Sequence, residues 1–247
     1  PTADIEETVD AIMEAYIEED VPGASVSIVQ NGEIVFQKGY GLANREKEQP
    51  VHPETTYMEA GSVSKLFTWT AIMQLVEEGQ LTLDTDVRPY LKGGESKLTY
   101  DEPITVAHLM THTAGFEERV EDLTVYDPDH LVELEDYLAP ERQPKQLYPP
   151  GDVVAYSNFS TNLAGYVVEE LTGMAFADYV ELLILTPLEM EYSTFDVRYD
   201  RISGLMDEKA VGYTKKGTEW VAKPTSYIND NPAGGLTTTT NDLAHFM

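Results

Sequence analysis

Ser62-Val63-Ser64-Lys65 places a hydroxyl and an ammonium three residues apart, a separation that brings both to one face of a helix. A serine attacks a carbonyl only when a neighbouring group takes its proton, and a desolvated lysine can help to do so. The apolar run behind it, through Glu78, marks a helix opened by Gly61-Ser62. The first turn of such a helix offers spare N–H groups and positive dipole character to a developing oxyanion. The spacing alone is weak, expected about once by chance in a chain of this length. A serine cap followed by a surface lysine is the plainer reading of four isolated residues.

Two further segments carry polar groups suited to the same chemistry. Tyr156-Ser157-Asn158 follows Pro149-Pro150-Gly151 and precedes a helical pattern. A tyrosine beside a lysine cation is a usable base, and the Asn158 amide can hold a substrate amide or Lys65. Alone, these residues also read as a packed loop tyrosine and an N-cap asparagine. His112-Thr113-Ala114-Gly115 follows a short helix. It can supply the base of a Ser-His-Asp triad, or tie a turn together by hydrogen bonds, and the second role is favoured because buried polar groups mostly serve local bonding.

Other chemistries find no footing. His52, His108, His130 and His245 have no ligand spacing, and H-E-x-x-H, G-x-S-x-G and a phosphate-binding glycine loop are absent. No metal or other cofactor is expected. The chain has no cysteine, which excludes disulfides, cysteine-ligated zinc and a thiol nucleophile. Asp and Glu number 44 against 16 Lys and Arg, a net charge of −28, which repels nucleic acid and anionic lipid. That acidity fits either a solvated, highly soluble surface or adaptation to high salt, where screening removes self-repulsion. No apolar run is long enough to span a membrane. The segment from Pro1 to Asp20 is acidic and amphipathic rather than signal-like, leaving the compartment open between cytoplasmic and exported with a signal removed.

The elements that must position these residues follow from periodicity. Ala3 to Glu18 places Ile5, Val9, Ile12, Met13, Tyr16 and Ile17 on one helical face. Ala24 to Val29 and Glu33 to Tyr40 are strands around Asn31-Gly32, a strong hairpin signal. Asn44 to Pro53 is a loop. Ser62 to Glu78, apolar nearly all round, predicts a buried central helix with Gly79 just past its end. Thr105 caps a short helix through Thr111, and Asp129 to Leu138, Asn158 to Leu171 and Phe176 to Leu185 are helical. Ala210 to Tyr213 and Glu219 to Ala222 form a second hairpin around Lys215-Lys216-Gly217. A helix begins near Asn241. With 42% hydrophobic residues in 247, a sizeable core is available. The order predicts an α+β protein: residues 1–60 and 200–247 form a sheet-containing part, and 61–199 a mainly helical one. The cleft between them is the default binding site.

Taken together, these segments resemble the class C β-lactamase-like family of serine hydrolases, which includes DD-peptidases and related esterases. The likeness is collinear and covers most of the chain: Val21-Pro-Gly-Ala-Ser, Gly61-Ser-Val-Ser-Lys65 with Ala71 to Gly79, Ile104 to Phe116, Pro149-Pro-Gly151, Tyr156-Ser-Asn158, Leu171-Thr-Gly-Met174, Pro187-Leu188 and Pro232-Ala-Gly-Gly-Leu236. The resemblance implies an antiparallel sheet with flanking helices beside an all-helical part. It also implies that Ser62 forms an acyl-enzyme, that Lys65 and Tyr156 share proton transfer with Tyr156 as base, and that Asn158 positions substrate and Lys65. The backbone N–H of Ser62 would be one oxyanion donor, and His112 carries no catalytic role in the family.

One departure stands out. The family's third motif, Lys or His followed one residue later by Gly, lies on a strand beyond the 233–236 segment, and it is absent here, as are the last strands and the C-terminal helix. The expectation is a fragment, with the remainder supplied by a complementing C-terminal piece or second chain, or lost. Without it the first helix and hairpin keep uncovered apolar faces and a raw sheet edge, and loss of one oxyanion donor costs about 10²–10³ in rate. The leading expectation is a serine hydrolase acting on small esters, β-lactams or D-amino-acid peptides, with small esters first. The alternatives are a non-catalytic penicillin-binding-like sensor or scaffold that keeps the fold without turnover, and a Ser-His-Asp hydrolase using His112.

Overall fold

The computed structural model describes residues 2–17, 19–121 and 123–247. Helix α1 (Thr2–Glu14) leads into strands β1 (Gly23–Gln30) and β2 (Glu33–Asn44), then the short strands β3 (Gln49–Pro50) and β4 (Met58–Glu59). A 3-10 turn over Gly61–Val63 runs directly into α2 (Ser64–Glu77). There follow α3 (Val106–Met110), β5 (Thr124–Val125), α4 (Leu134–Tyr137), α5 (Asn158–Thr172) and α6 (Phe176–Val180). The order ends with α7 (Leu205–Glu208), β6 (Tyr213–Lys216), β7 (Glu219–Ala222), β8 (Tyr227–Ile228), α8 (Asn231–Gly234), β9 (Thr237–Thr238) and α9 (Thr240–Phe246). The β1-β2-β3 sheet and the pairs β4-β9, β5-β8 and β6-β7 are all antiparallel.

The first hairpin forms as its turn residues dictate. Asn31 (φ 56°) and Gly32 (φ 78°) both take left-handed backbone, which a two-residue turn matching strand twist requires. Gln30 then pairs with Glu33. The core lies under the helices rather than the sheet. Phe67, Ala71, Ile72 and Leu75 of α2 are fully buried and share one cluster with Leu163, Ala164, Val167 and Val168 of α5 and with Phe176 and Val180 of α6. Phe67 sits between Phe195 (centroids 5.8 Å) and Phe246 (4.2 Å), the second pair stacked. Helix ends follow their caps: the Thr105 side chain accepts the His108 N–H and His108 returns a bond to the Thr105 N–H, and Gly173 (φ 68°) closes α5.

Several elements differ from expectation, each for a physical reason. Helix α1 stops at Glu14, because Tyr16 and Ile17 N–H groups both turn back to the Met13 carbonyl and Ile17 bridges Val21; Glu18 lies outside the described residues. Helix α2 is not buried all round. It packs on part of its circumference, leaving Leu66 (51% exposed) and Met73 at the surface, with Val63 exposed in the turn before it. The loop after Asn44 contains β3, which adds to β2. The expected helix over 129–138 is broken into a 3-10 turn (Pro128–His130) and α4. Between them Leu131 is extended (ψ 139°), and the Val132 N–H bonds to the Asn229 side-chain oxygen at 3.1 Å. The second hairpin is shifted: Lys216 pairs with Glu219, so Lys215 and Lys216 are strand rather than turn. The helix over 176–185 continues past Val180 as a π-helical turn, Glu181–Leu185. Among the described residues no helix is long and apolar enough to cross a membrane.

Candidate active site

The local chain around Ser62 is set by glycine and by a clamp. Gly61 (φ 53°) takes left-handed backbone, which L side chains rarely adopt, and turns the chain from β4 into the helix. Behind it the buried Ser64 hydroxyl donates to the Gly61 carbonyl (2.6 Å) and accepts the Leu236 N–H (3.0 Å). The Ala60 N–H bonds to the Leu236 carbonyl at 2.9 Å. Ser62 thus lies in the 3-10 turn before α2, exposed to solvent, on a segment fastened to the far end of the sequence.

The structure brings Ser62, Lys65, Tyr156 and Asn158 together. Lys65 Nζ donates to Ser62 Oγ (3.2 Å), Asn158 Oδ1 (2.7 Å) and the Ala233 carbonyl (2.7 Å). Those three bonds use all three ammonium donors, so a lysine only 5% exposed is fully satisfied. Tyr156 Oη donates to Ser62 Oγ at 2.8 Å, and Lys65 Nζ lies 4.9 Å from the Tyr156 ring centroid. Tyr156 is 47% exposed, so substrate can reach the Ser62–Tyr156 pair.

Asn158 and Tyr156 are placed by the start of α5. The helix is capped by Ser157, whose hydroxyl accepts the Ser160 N–H, and Asn158 is its first residue rather than its cap. Helix α5 also holds the Ala233 carbonyl in place: a Cβ at Gly165 would fall 2.3 Å from Pro232 Cγ and 2.6 Å from its Cβ. From the other side the buried Thr68 hydroxyl donates to the Pro232 carbonyl at 2.7 Å. Helix α8 is therefore wedged between α2 and α5.

His112 takes the local role. Its backbone is left-handed (φ 54°), costly for a residue with a side chain, and is held by the Ala155 N–H on its carbonyl (2.8 Å) and the Ser157 N–H on Nδ1 (3.2 Å). The ring rests against Tyr156, centroids 4.5 Å apart. Burial and the nearby Lys65 cation hold its pKa below the ordinary histidine range. His112 thus shapes the 155–157 segment that carries Tyr156.

Two acidic residues escaped the sequence reading. Glu118, exposed at the rim, accepts the Asn158 backbone N–H through Oε2 and Asn158 Nδ2 through Oε1, both at 2.8 Å. Asp230, 5% exposed, opens α8. Burial pushes its carboxyl up to about 7, against the pull of Lys65. No local signal marks either one: Glu118 holds a residue 40 positions along the chain, and Asp230 is buried by tertiary packing.

An α+β fold of helices and small antiparallel sheets is that of the class to which the comparisons assign this chain. A family model described as Beta-lactamase matches residues 5–247, and the chain belongs to that family of β-lactamase-like serine hydrolases. It is 30% identical to Protein flp of Staphylococcus aureus (strain MRSA252), over 100% of this chain and 49% of that protein. It is also 30% identical to a β-lactamase of Pseudomonas fluorescens, over 99% of this chain and 64% of that one. The structure of the octameric penicillin-binding protein homologue from Pyrococcus abyssi superposes with a TM-score of 0.76 at 30% identity, covering 98% of this chain and 55% of that one. The chain spans about half the length of the S. aureus relative, 49%.

Proposed function

We propose that this chain is a hydrolase that forms an acyl-enzyme on Ser62, with small esters as its first substrates and β-lactams or D-amino-acid peptides behind them. The observation that carries the reading is the convergence on Ser62 Oγ of Tyr156 Oη at 2.8 Å and Lys65 Nζ at 3.2 Å. Tyr156 Oη, once its own proton has passed to solvent, takes the hydroxyl proton while Oγ bonds to the acyl carbon. Lys65 supplies compensating positive charge, and the N–H groups of the first turn face the developing oxyanion. The leaving alcohol departs with the proton from Tyr156. Water then adds to the ester of Ser62, gives its proton to the same oxygen, and releases the acid with the serine restored. Asn158, fixed by Lys65 and Glu118, orients the lysine. Family membership supports the reaction type.

A fluorescent fluorophosphonate or penicillin tests the first step, with Ser62→Ala as control, and nitrophenyl ester hydrolysis tests the second. Covalent label on Ser62 with ester turnover is the expected result. Label without turnover would instead mark an acylating sensor. Tyr156→Phe keeps the ring against His112 and should lower ester turnover about 10²–10⁴-fold. An active Tyr156→Phe together with an inactive, folded His112→Asn would move the base to His112.

A further inference from the structure

We propose that Glu118 is a specificity-determining residue of this site, which favours neutral and cationic acyl donors over those carrying a carboxylate. The inference rests on the Ser62 hydrolase reading and adds the charge class of its substrate.

Four side chains form one line from the rim to the nucleophile. Glu118 holds Asn158 at 2.8 Å, Asn158 holds Lys65 at 2.7 Å, and Lys65 holds Ser62 at 3.2 Å. Because Glu118 accepts from Nδ2, the other amide atom, Oδ1, must face the lysine; the amide cannot turn over without losing both bonds. The same carboxylate takes the backbone N–H of Asn158, the first residue of a 15-residue helix. Helix N-termini draw anions. Here that position, beside the nucleophile, is already filled by a carboxylate of the protein.

Two cations in and beside the line, Lys65 and Arg119, are taken up within the protein. Lys65 has all three donors committed within the protein. Arg119 is turned away, donating to the Arg142 carbonyl (2.8 Å) and lying 3.4 Å from Glu121. Glu117 accepts the Lys145 backbone N–H, and Asp230, near enough to feel the Lys65 charge, adds negative charge once ionised. His112, a further titratable group at the site, is kept toward its neutral form. A substrate carboxylate near the acyl carbon therefore meets Glu118 while the Lys65 and Arg119 donors are engaged within the protein. An uncharged acyl chain pays no such penalty, and a cationic one is attracted.

The test compares kcat/KM for p-nitrophenyl esters of hexanoate, of adipate with its second carboxylate free, and of 5-(trimethylammonio)pentanoate, in low and in molar KCl. Wild type should prefer the neutral over the anionic ester about tenfold or more at low salt, with the cationic ester at least equal to the neutral one. Glu118→Gln should shrink the neutral-to-anionic ratio about five- to tenfold, the size expected for one charge across a partly solvated cleft. Glu118→Ser reads the same ratio if the glutamine variant does not fold. Glu118→Asp keeps the charge and should keep the ratio. Glu219→Gln, which removes a charge on the exposed 213–222 hairpin, should not move it. An unchanged ratio in folded Glu118→Gln or Glu118→Ser, with turnover still dependent on Ser62, overturns the charge selectivity alone. Turnover that survives Ser62→Ala, or none with any ester, overturns the hydrolase reading and this inference with it.

Discussion

Replacing Asp230 by asparagine should change how stability depends on pH. Asp230 is 5% exposed at the start of α8, and its folded pKa is raised to about 7 from 3.8. The cause is loss of hydration, which the attraction of Lys65 offsets only in part. A rise of roughly three units at about 1.4 kcal/mol each makes full ionisation in the fold cost on the order of 4 kcal/mol. The sign follows from linkage. In the unfolded chain the carboxyl loses its proton near pH 4, whereas in the fold it keeps it to about 7. Over that interval the native state binds the extra proton, so this residue's contribution to stability falls as pH rises from 4 to 7 and stays low above. The Asp230→Asn variant carries no titrating group there and lacks that slope. Urea melts followed by circular dichroism at pH 4, 5.5, 7 and 8.5 should show the variant gaining on wild type by several kcal/mol across the range. Parallel curves, with a difference constant to about half a kcal/mol, would mean that Asp230 ionises in the fold as it does in water, and the burial argument would fail.

Three further outcomes are expected. Ser64→Ala removes the hydroxyl that bonds the Gly61 carbonyl and the Leu236 N–H; a buried N–H left without its partner costs about 1–3 kcal/mol, and ester turnover should fall with it as the Ser62 turn loosens. A cost near zero in urea melts would show that the turn is held by other contacts. Phe67→Ala, at a fully buried ring between Phe195 and Phe246, should cost about 3–5 kcal/mol, and retention of the wild-type urea midpoint would refute its place at the centre of the core. Finally, we propose that the charge of −28 reflects adaptation to salt: Tm should climb between 0.05 and 2 M KCl, by about 2–4 °C for each kcal/mol of repulsion screened. A flat profile would assign the acidity to solubility alone.

What the sequence reveals divides by range. Asn31-Gly32 fixes a hairpin because two neighbouring residues with left-handed backbone leave few alternatives, and Thr105 fixes a helix start through a bond three residues away. The proximity of Ser62 and Lys65 follows from helical spacing alone. Their meeting with Tyr156, 94 residues from Ser62, is not legible in any one segment and rests on the collinear family likeness. The interruption before α4 is invisible locally, because the group that takes the Val132 N–H belongs to Asn229, 97 residues on. Glu118 and Asp230 are hidden for the same reason in an acidic chain: among 44 carboxylates, nothing in the neighbouring residues distinguishes one that holds Asn158 or one that is buried. The exposed strip of α2 shows the limit of periodicity, since apolar residues on every side of a helix do not say how many neighbours it has.

The close approach of Gly165 and Pro232 has a bearing on inheritance. A methyl group at 165 would overlap the proline ring, and a displaced α8 would drag away the carbonyl on which Lys65 rests. Neither position can drift by itself: a larger residue at 165 survives only after a smaller one at 232 has made room. Lineages descending from this sequence should therefore change the two sites as a pair or leave both untouched, although neither residue has a place in the proposed chemistry.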